Sequence, residues 1–535
     1  MTESQLSQDR LYFADIPSGA EYLSRLPLAN PPAAEQQLSL FLDSLLSHPP
    51  APDTLLSLLE QVRLPLASVE EELARRYLNK ALPLGEEERA QFARVISVWE
   101  RMRRAYERCA DMAEPMARNP QFSALAATVL QRCIYYEGMI IIEHYRARRE
   151  LPAGCWVRLH GYYAKAEDWG VVNTPIEDRL ESTAQITHCC AAYVTLLLIE
   201  IANPYSSSVR NLNLIRRWAG MWAHLVHVQP IIDDLEMPAY LIELDKDTPL
   251  HVIDNSEALG LDARSFDTSS LGLQVSQMLT QLRQRVTPSQ LGLGDEISGY
   301  VVALLERLAR PWTLTASPRR FRRFSAAGKA RLAVGFEKMH FYVSGADFVE
   351  FDAGATYSRD SFDKLFTFRD SANLIASLGL RPDLEYPIDE WAVVNHSANG
   401  FRLARAAAGE KIALSQLLSV CPHDGDSFLL AQASWLMEES GGGLLLGVAI
   451  LPGSPKGVAV RRLGSGDGKR SSYLRAFLLS PTQVIEERTS LVLPKSIYQA
   501  SLLMELRSDK KTLNIRLKHI RQRGIDFDRV SFEIL

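Results

Sequence analysis

The hydrophobic period of this chain changes along its length, and that change limits the folds open to it. From residue 33 to about 225, apolar side chains recur every three or four positions, as in EQQLSLFLDSLLSH and DTLLSLLEQV. That spacing marks amphipathic helices. The prolines at 49, 50 and 52 interrupt the first pattern. EEERAQFARVISVWERMRRAYERCADMAE adds Glu-to-Arg pairs four residues apart, which support helical turns. After about residue 330 the apolar residues instead fall in short β-prone runs, broken by Asp-Gly and Gly-Gly-Gly turns. A chain with both patterns must build at least two bodies, one helical and one of antiparallel strands.

The expected fold is therefore multidomain α+β. At 535 residues, about three or four domains are expected. Residues 1–30 read as an irregular lead-in, and residues 31–315 as a mainly helical domain with a small β segment near 238–254. There AYLIELD and PLHVI flank a Lys246-Asp-Thr turn, as in a hairpin. Pro311 is expected to stop the last helix, EISGYVVALLERLAR. Residues 316–455 read as a barrel-like domain in which ARLAVGFEKMHFYV (330–343) forms one long strand and 344–388 is an insert. Residues 456–535 form a further β module.

Net charge is −5, so no overall field draws the chain to nucleic acid or anionic lipid. Against that background the run Arg319-Arg320-Phe321-Arg322-Arg323 stands out as an anion site. Six scattered cysteines without a Cys-x-x-Cys pair suit a reducing cytoplasm, with neither zinc nor disulfides. The N-terminal residues show no basic segment followed by an apolar one, so no signal peptide is expected. The most apolar run, around 191–202, is too short to span a bilayer, so no membrane insertion is expected.

A second polar cluster lies in WAVVNHSANGFRL, where Asn395, Ser397 and Gly400 separate two β-prone runs. Asn and Ser offer hydrogen-bonding groups at a turn, and Gly lets backbones approach closely. R-x-x-x-R (Arg319, Arg323) followed by N-x-S-x-x-G resembles the signature of PilZ domains, the bacterial receptors for cyclic di-GMP. The resemblance covers about residues 316–455 and implies an antiparallel β-barrel that binds this second messenger. It implies that Arg319, Arg320 and Arg323 take phosphate and guanine, while Asn395, Ser397 and Gly400 complete the site. Arginine suits the ligand because it grips phosphate with two parallel hydrogen bonds and stacks on a base. Two departures are visible: the motifs lie 72 positions apart, and Asn stands where Asp is commoner.

The resemblance implies a bacterial cyclic di-GMP effector, with the helical region as the output part that meets a protein partner. The alternative is an interaction scaffold whose PilZ-like barrel has lost its ligand. No enzyme is expected: no phosphate-loop, nucleophile-elbow or zinc-protease motif occurs, nor any GGDEF- or EAL-like string. No cofactor beyond the ligand is expected. His224 and His227, with Asp233, Asp234 and Glu236 nearby, read as ordinary histidines rather than metal ligands. Trp169, Trp218 and Trp222 read as helix-packing anchors.

Overall fold

The computed structural model describes residues 12–535 except 117–118, 181–185, 232–239, 253–261, 314–323, 326–327, 346–347, 349–385, 398, 407–408, 424, 464–471, 482–487 and 509–510. The chain divides into two units, residues 1–80 with 84–319 and residues 81–83 with 320–535.

The first unit is helical, as the leucine spacing predicts. Its helices are α1 (Ile16–Ser24), α2 (Pro31–Ser47), α3 (Pro52–Ala74), α4 (Glu86–Ala113), α5 (Ser123–Ala147), α6 (Cys155–Asp168), α7 (Cys189–Ile201) and α8 (Val209–Trp222). Asp15 caps α1 by accepting from the Ser18 amide at 2.9 Å, so a helix lies within the stretch read as irregular. Its single buried position, Gly19, gave the sequence no apolar stripe to reveal it. α3 runs unbroken through Pro65. α5 is the central element: nearly all its residues from Val129 onward are buried. The segment Pro120–Ala147 is long and apolar enough to cross a membrane, yet most of its apolar window is buried within this unit. Trp218 and Trp222 are buried, and the Trp218 indole donates to the Leu293 carbonyl at 3.1 Å.

Two short hairpin strands, β1 (Ile176–Glu177) and β2 (Ile186–Thr187), lie between α6 and α7. A small antiparallel sheet follows, from β3 (His227–Pro230), β4 (Tyr240–Glu243), β5 (His251–Val252) and β6 (Ala263–Asp267). β4 pairs with β5 across Asp247, as the hairpin reading expects, and with β6 on its other edge. Helices α9 (Ser269–Arg283) and α10 (Ser298–Trp312) close the unit. α10 ends one residue beyond Pro311, whose missing amide hydrogen takes one bond from the last turn.

A buried histidine gives this unit a pH dependence. His144 of α5 is 5% exposed, and its Nδ1–H donates to the Ile140 carbonyl at 2.8 Å. Burial, the largest influence, lowers it from 6.5 to about 4. The folded protein keeps the ring neutral, while the unfolded chain takes up a proton below about pH 6.5. Stability present above that pH is therefore lost as pH falls toward 4. By pH 4.5 the loss should reach roughly 2–3 kcal/mol at about 1.4 kcal/mol per pH unit. Urea unfolding at pH 7 and pH 4.5 checks this: His144→Gln should lose measurably less than wild type, and equal losses would contradict it.

The second unit holds two closed six-stranded barrels. The first has strands β7 (Phe324–Ser325), β8 (Lys329–Val334), β9 (Asp389–Ser397), β10 (Gly400–Arg405), β11 (Leu417–Pro422), β12 (Leu429–Glu438) and β13 (Leu444–Ile450). They run in the order β10-β13-β12-β11-β8-β9, and pairing of β10 with β9 closes the ring. Short β7 lies along β9 as an added piece. Trp391, Leu403, Leu436 and Leu446 are fully buried. Arg405 stacks over Trp391 at 4.6 Å and pairs with Asp389.

The long strand expected over 330–343 is only half there. β8 ends at Val334, Gly335 takes a positive φ of 89°, and α11 (Phe336–Ser344) follows. The apolar residues Phe336, Met339, Tyr342 and Val343 sit at helical spacing, a signal masked by their β-prone types. α11 fills a shared core: Met339 packs with Leu417 and Leu430 of the first barrel and Phe477 and Val492 of the second.

The second barrel has β14 (Ser454–Arg462), β15 (Leu474–Ser480), β16 (Ser490–Pro494), β17 (Leu503–Ser508), β18 (Lys511–Arg523) and β19 (Phe527–Ile534), ordered β14-β15-β16-β19-β18-β17 and closed by β17 on β14. Val460, Leu491, Met504, Ile515 and Val530 fill its interior.

Candidate functional site

The polar motif read from the sequence sits on the first barrel. Asn395 and Ser397 lie within β9 rather than in the loop after it. Ser397 pairs directly with Gly400, so the turn between β9 and β10 is only two residues long. Asn395 and Ser397 are two positions apart and so share one face of the strand.

Register explains which way they face. Leu403 of β10 opposes Val393 of β9, and Leu403 is fully buried. Between that pair and the next the register slips by one residue, so Arg402 opposes Asn395 and Val394 is left over. A bulge of this kind re-aims the side chains beyond it. Arg402 also opposes Gly447 of β13, and Gly447 opposes Trp435 of β12. Directly opposed residues share a face. Asn395, Arg402, Gly447 and Trp435 thus form one row across four strands, on the outer face opposite Leu403, Leu446 and Leu436.

The row has a definite shape. A side chain at Gly447 would place its Cβ 1.8 Å from the Trp435 indole nitrogen, so the indole lies across the bare glycine. The Arg402 guanidinium stacks over that indole, 5.5 Å from the ring centre. Arg402 makes no ion pair among the described residues, and its buried Nε has no hydrogen-bond partner among them. The Asn395 amide likewise makes no hydrogen bond among the described residues. Among the described residues, the motif thus presents a guanidinium without an ion pair on an aromatic ledge, with an amide that makes no hydrogen bond beside it. A planar, anionic ligand with hydrogen-bonding edges fits such a surface. Neither Arg402 nor Trp435 stands out in the sequence, because their proximity depends on the register of β10, β13 and β12 and on the register shift at Ser434 of β12.

Gly400 has a different role from the one its motif implies. Its hypothetical Cβ would lie 2.0 Å from the Val448 carbonyl oxygen of β13, so the close approach is to the barrel itself. Ser397 Oγ reaches the Gly400 carbonyl only at 3.5 Å, a long contact that leaves the hydroxyl available. Gly400→Val should therefore part β10 from β13 and cost about 1–3 kcal/mol in addition to any effect on binding. A thermal melt of the variant checks this, and an unchanged melting temperature would contradict it.

Arg319, Arg320 and Arg323 lie outside the described residues. Phe324 and Ser325, the next two residues in the chain, are described: Phe324 pairs with His396 and Ser325 with Asn395. The chain leaving the arginine cluster is therefore hydrogen-bonded along β9 beside the N-x-S-x-x-G turn. Most of the insert between the motifs, 349–385, also lies outside the described residues.

Of the histidine and acidic group weighed as a metal site, residues 233, 234 and 236 are outside the described residues. Among the described residues no group of three or more metal-type ligands occurs.

Three family models match the chain in succession. Residues 18–233 match "Cyclic-di-GMP receptor FimW, N-terminal domain", residues 240–377 match "Cyclic-di-GMP receptor FimW, middle PilZ domain", and residues 458–535 match "FimW C-terminal beta-barrel domain". The middle match begins at β4 and includes β7, β8 and α11, while β9 to β13 of the first barrel lie beyond its matched range. A curated relative, "Cyclic-di-GMP receptor FimW" of Pseudomonas aeruginosa, is 23% identical over 92% of this chain and 86% of its own length. No solved structure matches.

Proposed function

Since the chain belongs to the PilZ-domain family of cyclic di-GMP receptors, we propose that it holds cyclic di-GMP on the outer face of its first barrel and passes that signal on through its helical unit. The protein is a cyclic di-GMP effector, and its family is a receptor rather than an enzyme class. In this reading Arg319, Arg320 and Arg323 take the phosphates and one guanine face. Asn395 supplies an amide to a guanine edge and Ser397 a hydroxyl. The Arg402–Trp435 stack is the ledge against which the ligand lies.

The observation that carries the reading is the pairing of Phe324 and Ser325 with His396 and Asn395. It ties the chain immediately after the arginines to the strand that bears the second motif. That pairing supports reading the two sequence pieces, 72 positions apart, as parts of one site. Arginine rather than lysine suits that surface, because a guanidinium can grip phosphate and stack at once.

The helical unit would be the part that meets a protein partner. The six free cysteines, five of them buried, suit a reducing compartment, and we place the protein in the cytoplasm on that ground. Calorimetric titration of the full chain with cyclic di-GMP tests the reading, with GTP and cyclic AMP as controls. Saturable binding of cyclic di-GMP alone is expected. No binding would make the barrel an interaction module instead.

A further inference from the structure

Two cavities adjoin inside the helical unit, away from the barrel surface just described. The larger, about 350 Å³, is lined by charged and apolar residues alike, and the smaller, about 120 Å³, is the more apolar, with His188 and His224 also on its wall. Tyr135, Met139, Thr195, Arg216 and Gly220 border both. The two are therefore lobes of one site, with a guanidinium where they meet.

The larger lobe is bordered by buried groups that have no hydrogen-bond partner among the described residues. Glu70 of α3 is 1% exposed, and neither of its carboxyl oxygens has a hydrogen-bond partner among the described residues. The Trp99 indole N–H and the Arg146 Nε–H are also buried and unpaired among them. Leaving such groups unpaired is costly, and a ligand that satisfies them recovers that cost. Burial, with Glu35 and Glu143 nearby, pushes the Glu70 carboxyl well above the usual range, and Arg94 only partly offsets this. The Glu70 carboxyl is thereby pushed toward its neutral form, which can donate a hydrogen bond.

Charge decides what this site would take. The Arg146 guanidinium is balanced by Glu71 and Glu143, at 2.8 Å from each. Arg216 has no ion pair among the described residues, so none of them compensates its charge at the junction. The unpaired groups around it are mainly donors, and they call for an acceptor-rich anion. The second lobe, with Ile142, Leu196 and Met221 on its wall, calls for hydrocarbon. We propose that this double cavity binds an aliphatic carboxylate, with its head at Arg216 and the Trp99 indole and its chain in the lobe beside Leu196.

Calorimetric titration of the full chain with octanoate, octylamine and octanol tests the proposal. Octanoate should bind saturably and more tightly than octanol, and octylamine should not bind. Arg216→Ala should weaken octanoate by about tenfold or more, the scale of one hydrogen bond to a charged group. Ala192→Phe, which fills the aliphatic lobe, should weaken it as well, with an unchanged helical melt showing that the variant folds. Absence of saturable octanoate binding, equal binding of octylamine, or unchanged affinity in Arg216→Ala would overturn the proposal. The cyclic di-GMP titration is a separate measurement on the other unit, so either reading can fail alone.

Discussion

Replacing Asp178 with alanine is expected to cost about 3–5 kcal/mol of helical-unit stability, the range for breaking a buried ion pair from one side. Asp178 is 1% exposed and follows directly on β1. Its Oδ2 accepts from Arg63 of α3 at 3.0 Å and from Arg132 of α5 at 2.9 Å. Its other oxygen accepts from the Leu180 amide at 3.0 Å. Both guanidiniums are buried, and Glu60 compensates Arg132 through two further bonds of 2.8 and 3.0 Å. Removing Asp178 leaves Arg63, among the described residues, with a longer contact to Glu60 at 3.4 Å and a hydrogen bond to the neutral Tyr136 hydroxyl at 3.3 Å. Urea unfolding followed by helical circular dichroism should show a lower midpoint at unchanged slope. A loss under about 1 kcal/mol would mean that water replaces the carboxylate and that the network is not a stability determinant.

Arg323→Ala is expected to weaken cyclic di-GMP by roughly 1.5–3 kcal/mol, about 10- to 150-fold, the range for a hydrogen bond to a charged group. Arg323→Lys should recover only part of this, because an ammonium has neither the fork nor the flat face. The residue precedes Phe324, whose pairing with His396 places the chain at the motif. Calorimetric affinities of the two variants provide the check. Full affinity in Arg323→Ala would remove the arginine from the site.

Much of the fold was legible because the hydrophobic period is a backbone property. Leucines three and four apart gave α2 and α3, and the prolines at 49–52 gave the break between them. Short β runs with glycine turns gave two β bodies at the C-terminal end. α11 was missed because Phe, Tyr and Val favour strands locally, while packing between two barrels decides for helix. β14 falls within the further β module expected over 456–535, but no single strand stands out there, since Ser454–Arg462 mixes Pro, Gly and charge with its apolar residues.

The site was half legible. Asn395 and Ser397 form a contiguous motif that sequence can reveal. Arg402 and Trp435 are 33 positions apart, and only the register of three strands and a one-residue bulge put them on one face. Gly400 was legible as a close approach, but its neighbour, the Val448 carbonyl, is a long-range partner that no local pattern names. Glu70 gave no signal at all: an acidic residue in VEEELARR reads as solvated surface until α3 packs and buries it.

The central claim is that the arginine cluster and the β9–β10 face act together on one ligand. A double-mutant cycle tests it most directly: cyclic di-GMP affinity is measured calorimetrically for wild type, Arg323→Ala, Asn395→Ala and the double variant. Groups gripping one ligand in one site should couple by roughly 0.5–3 kcal/mol. Losses that add to within about 0.3–0.5 kcal/mol, or an Asn395→Ala variant that binds like wild type, would contradict the account.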